Sequence, residues 1–247
     1  MINIVTIDPS INSTGITING EVFAISSESI AYTKSLKNYK RWYELSSEHA
    51  TIETVDTSYQ NQKIYSKLEI IKLETYQRIA NLVRTLVDKH CKSNYNTLVL
   101  IEGYSYSSQA GPLIDLVTLS TLVRRNLFSR TDTELVVVAP TSLKKLAGKL
   151  TYAPIVKGKK TEYRNPQGKA SGSFNKHDMY MALIENSDIQ TDWVTFLREH
   201  SEEILLAKAI PKPIEDINDA IMMYHVALMA LTEHVEFLET VDQLRKA

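Results

Sequence analysis

The chain has 247 residues, 43% hydrophobic and 23% charged, an ordinary globular composition whose simplest reading is one enlarged domain with a substantial core. A formal net charge of −1 gives overall electrostatics no part in nucleic-acid binding, so any such surface must be local. The single cysteine, Cys91, excludes an intrachain disulfide, and no apolar run is long enough to span a bilayer. Asp8 stands where a signal peptide would be apolar, so a soluble cytoplasmic protein with no membrane partner is expected.

Residues 4–7, Ile-Val-Thr-Ile, are an apolar β-branched run that reads as a buried strand. The strand stops near Asp8, because Pro9 cannot donate to a sheet ladder. A turn rich in Ser, Asn and Gly leads to a second run from Ile16 and a third over 21–25, so the chain opens as a meander. Residues 34–62 turn polar. There Lys34, Lys37, Lys40 and Arg41 interleave with Tyr39, Trp42 and Tyr43, which suits nucleic-acid backbone contacts with base stacking, or simply an exposed loop and short helix.

Ile64, Leu68, Ile71, Ile79, Leu82, Val83 and Leu86 recur at near-helical spacing and predict a long helix over 64–90. Residues 98–101 return to strand. A helix over 112–128 has an apolar face broader than one buried stripe needs, suiting a central core helix or a dimer surface. Residues 134–139 form a strand, and Thr141 is the expected N-cap of a helix over 142–150.

Between residues 144 and 176 the charge becomes basic: Lys144, Lys145, Lys149, Lys157, Lys159, Lys160, Arg164, Lys169 and Lys176 stand against Glu162 alone. Its polar, glycine-containing middle, 158–173, reads as a mobile loop. Residues 184–247 are acidic, so a near-neutral protein can still carry a basic DNA surface; a solvated flexible loop is the alternative for the glycine-containing middle and explains the near-absence of acids less well. Lys176 opens a short helix in which His177 is a ligand, a base or a surface histidine. Residues 193–206 look like an inserted helix, and Pro211 and Pro213 set up the last one.

Three of these elements carry carboxylates at an end. Asp8 and Glu102 each follow an apolar strand, where a carboxylate is costly unless exposed, paired or bound to a cation; a turn-capping role is the alternative for Asp8. Asp216 and Asp219, spaced i,i+3, share one helix face, although the helix dipole alone favours acids in a first turn. No basic partner for these acids is apparent from sequence. Hard divalent cations such as Mg²⁺ take oxygen ligands of this kind.

Asp8-Pro9-Ser10-x-x-x-Thr14-Gly15, Ile101-Glu102-Gly103-Tyr104 and Asp216-x-x-Asp219-Ala220, in that order, resemble the motifs of RuvC-type Holliday-junction resolvases. The likeness extends to Pro140-Thr141-Ser142-Leu143-Lys144-Lys145 followed by Lys176-x-x-Met179. It departs from the bacterial pattern at Ser10, where Gly is common, and in the greater length of this chain.

The resemblance implies an α/β fold, an RNase H-like mixed sheet flanked by helices. It implies one nuclease domain over 1–247, with insertions near 34–62, 151–174 and 186–213. It implies two Mg²⁺ ions, with Mn²⁺ able to substitute, held by Asp8 as the bridging ligand and by Glu102, Asp216 and Asp219. Lys144 and Lys176 are the positions that hold phosphate, and Tyr104 or Tyr106 matches an aromatic that stacks on bases at the junction centre. The implied activity is hydrolysis of phosphodiesters in four-way DNA junctions, in recombination and repair, by a C₂ homodimer. The basic loop, with Lys157, Lys159, Lys160, Arg164 and Lys169, is the expected DNA clamp. Competing readings are a nuclease of the same fold acting on flaps, RNA–DNA hybrids or general duplex DNA, and a non-catalytic DNA-binding module. An actin-like ATPase also begins with an acidic strand end, but it needs Gly-rich phosphate loops, and only Gly15 and Gly20 lie near the first strand.

Overall fold

In the computed structural model, residues 2–27, 37–57, 62–104, 110–158 and 160–233 are described. The opening meander is three antiparallel strands, β1 (Ile2–Asp8), β2 (Ser13–Ile18) and β3 (Glu21–Ser27). Asn19 and Gly20, at φ 51° and 92°, make the two-residue turn whose twist matches a hairpin. Helix α1 (Lys37–Ser46), strand β4 (Thr51–Val55), helix α2 (Tyr65–His90) and strand β5 (Asn96–Glu102) follow. Next come α3 (Ala110–Phe128), β6 (Thr133–Val138), α4 (Pro140–Thr151) and the small hairpin of β7 (Pro154–Lys157) with β8 (Lys160–Tyr163). Four helices close the described chain: α5 (Lys176–Glu185), α6 (Asp192–Glu199), α7 (Ser201–Leu206) and α8 (Ile214–Glu233).

The first six strands form one sheet in the order β4-β3-β2-β1-β5-β6. β5 runs parallel to β1, β6 to β5 and β4 to β3. The result is an α/β fold, a mixed six-stranded sheet flanked by helices, as expected.

Side chains alternate across a strand, and that parity places the site. Val5, Ile7, Val99 and Ile101 pack on one face, against Tyr76, Ile79 and Val83 of α2 and Leu119, Val123 and Leu127 of α3. Ile4, Leu98 and Leu100 pack on the other, against Ile217, Ile221 and Met222 of α8. Thr6 shares that second face, and its Oγ1 donates to the Ala220 carbonyl of α8 at 2.7 Å. Asp8 and Glu102 continue the same parity. The parallel register pairs Ile7 with Ile101, so these two acids stand side by side at the carboxyl ends of neighbouring strands, facing α8.

Gly15 lets α8 come this close. It sits opposite Asp8 in β2, and a Cβ there would overlap the Asp216 carbonyl and crowd the Ile217 nitrogen. Gly15→Ala must therefore push back either the start of α8 or strand β2. The expected cost is about 2–3 kcal/mol of unfolding free energy, read from urea denaturation. An unchanged midpoint would mean that β2 and α8 do not meet this way.

Some elements differ from expectation. β4 is a polar edge strand with only Val55 buried, so it offers no apolar run to read. Ala139 rather than Thr141 is the N-cap of α4, with Pro140 at the first helical position. The segment 158–173 is no open loop. β7–β8, an Arg164–Ala170 bridge and a short 3₁₀ turn (Ser171–Ser173) order it. Residues 193–206, expected as one helix, lie in two helices that meet at His200. α3 buries Leu119, Val123 and Leu127 but exposes Ile114 and Phe128, so it is a core helix with an apolar outer edge. No helix among the described residues is long and apolar enough to cross a membrane.

Candidate active site

The first turn of α8 delivers its acids to the strand ends. Asp219 lies one turn beyond Asp216, and carboxylate oxygens of Asp8, Glu102 and Asp219 come within 4.8 Å of one another. Asp8 and Asp219 are 8% and 4% exposed. Three carboxylates this near, largely out of water, repel one another. Burial, with Glu102 and Asp219 alongside, pushes the Asp8 carboxyl well above its usual range. Burial and Asp219 push Glu102 up, while Lys176 and Lys144 oppose the rise.

Lys176, the first residue of α5, pairs with Asp219 and lies 3.3 Å from Glu215. Its helix is held by a capping box in which the Asn175 side chain accepts from the Asp178 amide at 2.9 Å and the Asp178 carboxylate accepts from the Asn175 amide at 2.7 Å. Burial alone would lower the Lys176 pKa, but Asp219 and Asp8 hold it above the ordinary lysine value. Lys144 and Lys176 both line the open cleft of about 310 Å³ that contains Asp8, Glu102 and Tyr104. The Tyr104 ring is covered by the Arg124 guanidinium, 4.9 Å from its centroid.

Asp216 is placed differently from the other three acids. It is 2% exposed, its Oδ1 pairs with Lys212, and its Oδ2 has no hydrogen-bond partner among the described residues. Burial raises its pKa to about 7 even with Lys212 beside it. Glu215 is bound from both sides, by Lys176 and Lys212, and these lysines outweigh burial and keep its pKa below the usual value. The acids are thus not without basic partners. Lys212 precedes Asp216 by four residues and Glu215 by three, a spacing that would have flagged it in the sequence.

No family model matches the chain, and no curated protein does. Two solved structures align with most of it. RuvC of T. thermophilus in complex with a Holliday junction substrate is 10% identical over 94% of this chain and 96% of that one, with a TM-score of 0.45. A Thermus thermophilus RuvC structure is 14% identical over 92% of this chain and 96% of that one, with a TM-score of 0.43.

Of the expected site residues, Asp8, Glu102, Asp219, Lys144, Lys176 and Tyr104 share the neighbourhood of the cleft. Asp216 is buried beside them, held by Lys212. Arg164 is bound at home: its Nη2 lies 2.8 Å from Glu162 and its Nη1 donates to the Gly168 carbonyl at 2.5 Å. Lys169 pairs with Asp178. Lys160 is exposed and has no ion pair among the described residues. Lys34, Tyr106, Lys159 and the side chains of Lys37, Tyr39 and Lys157 lie outside the described residues. In the remainder of the aromatic–basic stretch, Trp42 is buried and Arg41 pairs with Glu203 at the surface. His177 faces the Ala207 carbonyl at 3.3 Å rather than the acids.

The raised acids give stability a sign with pH. Asp8 and Glu102, both raised, and Asp216, raised to about 7, hold protons in the folded state that the unfolded chain releases above its ordinary carboxylate range, so stability falls as pH rises, for Asp216 through about 7. His225 acts oppositely below 6.5, because burial lowers its pKa to about 4 and unfolding lets it take a proton. The metal-free protein should therefore be about 1 kcal/mol more stable at pH 6.5 than at pH 8.5 by urea unfolding. Millimolar Mg²⁺ should erase the difference, and a flat or rising profile without metal would contradict the burial of these acids.

Proposed function

We propose that this protein is a divalent-metal-dependent endonuclease that hydrolyses phosphodiesters in four-way DNA junctions. The observation that carries the reading is the convergence of Asp8, Glu102 and Asp219 from two parallel strand ends and a helix start. The donor set fits the ion class: hard carboxylate oxygens, closely spaced, buried and mutually repelling, which a cation would relieve. Mg²⁺, with Mn²⁺ as substitute, would be held by these three, and Asp216 would serve a second ion. Such ions activate water and stabilise the departing 3′-oxygen.

The remaining work falls to the chain itself. Lys176 and Lys144, at the rim of the acid-lined cleft, orient the anionic phosphate. The strand ends and α8 hold the acids on rigid elements, so little reorganisation is needed when substrate arrives. Tyr104, braced by Arg124, offers an aromatic surface beside the acids for an unstacked base. The motif resemblance supports junctions as the substrate. A symmetric junction calls for two sites related by a two-fold axis, hence a C₂ homodimer. Exposed Ile70 and Leu73 on α2 and Ile114 on α3 support an interface on that helical layer.

The test compares junction, flap, RNA–DNA hybrid and plain duplex under one condition, with and without Mg²⁺. Metal-dependent cutting of the junction first is the expected outcome. Preferential cutting of flap or hybrid would keep the chemistry and change the substrate, and no cutting of any would overturn the nuclease reading. Sedimentation of the protein alone reads the dimer.

A further inference from the structure

Lys212 occupies a position that helix electrostatics disfavour. It stands two residues before α8, where the positive end of the helix dipole repels a cation. It is held there by acids: its Nζ pairs with Asp216 Oδ1 and lies 3.3 Å from Glu215 Oε2. Among the described residues the other oxygen of Asp216 is buried with no hydrogen-bond donor, an arrangement that costs free energy. Asp8, one of the three grouped carboxylates, is near enough to act electrostatically on both Asp216 and Lys212. One buried carboxylate thus has one oxygen taken by an ammonium and one without a donor among the described residues, within electrostatic reach of Asp8.

We propose that Lys212 is a placeholder for the second divalent cation, a positioning residue that keeps Asp216 in place in the free protein and weakens the second ion's binding until it is displaced. This rests on the nuclease reading above. Displacement is cheap because Glu215 already touches the same ammonium and can retain it when Asp216 lets go. Lys176 shares Glu215 but pairs with Asp219, so the two lysines divide the acids between them, one at each of two neighbouring positions.

The experiment counts Mn²⁺ bound to the DNA-free protein, by the electron paramagnetic resonance of the ion left free during titration. The wild type should take one tight equivalent and a second at least about tenfold weaker, since a unit positive charge beside Asp216 opposes the second ion. Lys212→Met should tighten the second equivalent by about tenfold or more and leave the first little changed. Lys212→Met with Asp216→Asn should lose the second and keep the first. Lys212→Arg, which retains the charge and grips a carboxylate with two donors, should weaken the second further, and it serves if the Met variant fails to fold. A second equivalent of the same affinity in wild type, Lys212→Met and Lys212→Arg would overturn the proposal. So would loss of the first equivalent on Asp216→Asn, which would make Asp216 a primary ligand. No Mn²⁺ on the wild type would sink the metal-nuclease reading itself, and the proposal with it.

Discussion

Asp8→Asn is expected to lower junction cleavage by at least about 10³-fold, since a metal site contributes several kcal/mol to stabilising the transition state. Glu102→Gln and Asp219→Asn should do the same, each removing one of the three carboxylates that lie within 4.8 Å. The stability readout runs the other way. Burial and the charges of Glu102 and Asp219 disfavour ionised Asp8, so the neutral amide relieves repulsion. Without metal at pH 8, Asp8→Asn should be more stable than wild type by about 1 kcal/mol. Equilibrium DNA binding should be largely kept, because the lysines at the cleft remain. Rates within about tenfold of wild type would remove Asp8 from the chemistry. Lost activity together with a lowered unfolding midpoint would make Asp8 a structural residue, its carboxylate needed by the fold.

The same residues show why the sheet could be read from the sequence and part of the site could not. β1 and β5 are buried on both faces, so they appear as continuous apolar runs, and an acid ending each run is conspicuous. Register then does the rest: because parallel pairing sets Ile7 beside Ile101, the acids that follow must be neighbours. β4 escaped because an edge strand with solvent on its sides needs no apolar pattern. The Asn19-Gly20 turn, by contrast, is a local signal that can be read directly. The lysines were harder. Lys212 follows its partners' helix spacing, but Lys176 meets Asp219 across 43 residues, through the packing of α5 on α8. No local pattern encodes such a meeting. The reading of 158–173 as a mobile loop failed for a related reason. Its charges look repulsive in sequence, yet Arg164 and Lys169 find Glu162 and Asp178, the latter supplied by the next helix.

That pairing sets the size of the salt effect expected from the basic hairpin. Each phosphate neutralised contributes about −0.9 to the slope of log affinity against log salt. If all five cations, Lys157, Lys159, Lys160, Arg164 and Lys169, touched phosphate, replacing them with Ser would flatten the slope by about 4–5. Arg164 and Lys169 are already bound inside the protein, and to reach DNA they would first break those ion pairs. Lys160 is exposed, on the strand that leaves the β7–β8 turn, with Lys157 and Lys159 beside it in the chain. The triple variant Lys157→Ser, Lys159→Ser, Lys160→Ser should therefore account for nearly the whole effect, flattening the slope by about 2–3. Adding Arg164→Ser and Lys169→Ser should change the slope little and instead lower stability, because Asp178 loses its lysine and Glu162 its arginine. Fluorescence anisotropy of a labelled junction across a salt series separates the two groups, with Ca²⁺ present to hold the acid site without cutting. A further flattening of about 2 on adding the last pair would show that the internal ion pairs open on DNA. An unchanged slope in the triple variant would take the hairpin off the phosphate path and leave Lys144 and Lys176, at the cleft itself, to carry it.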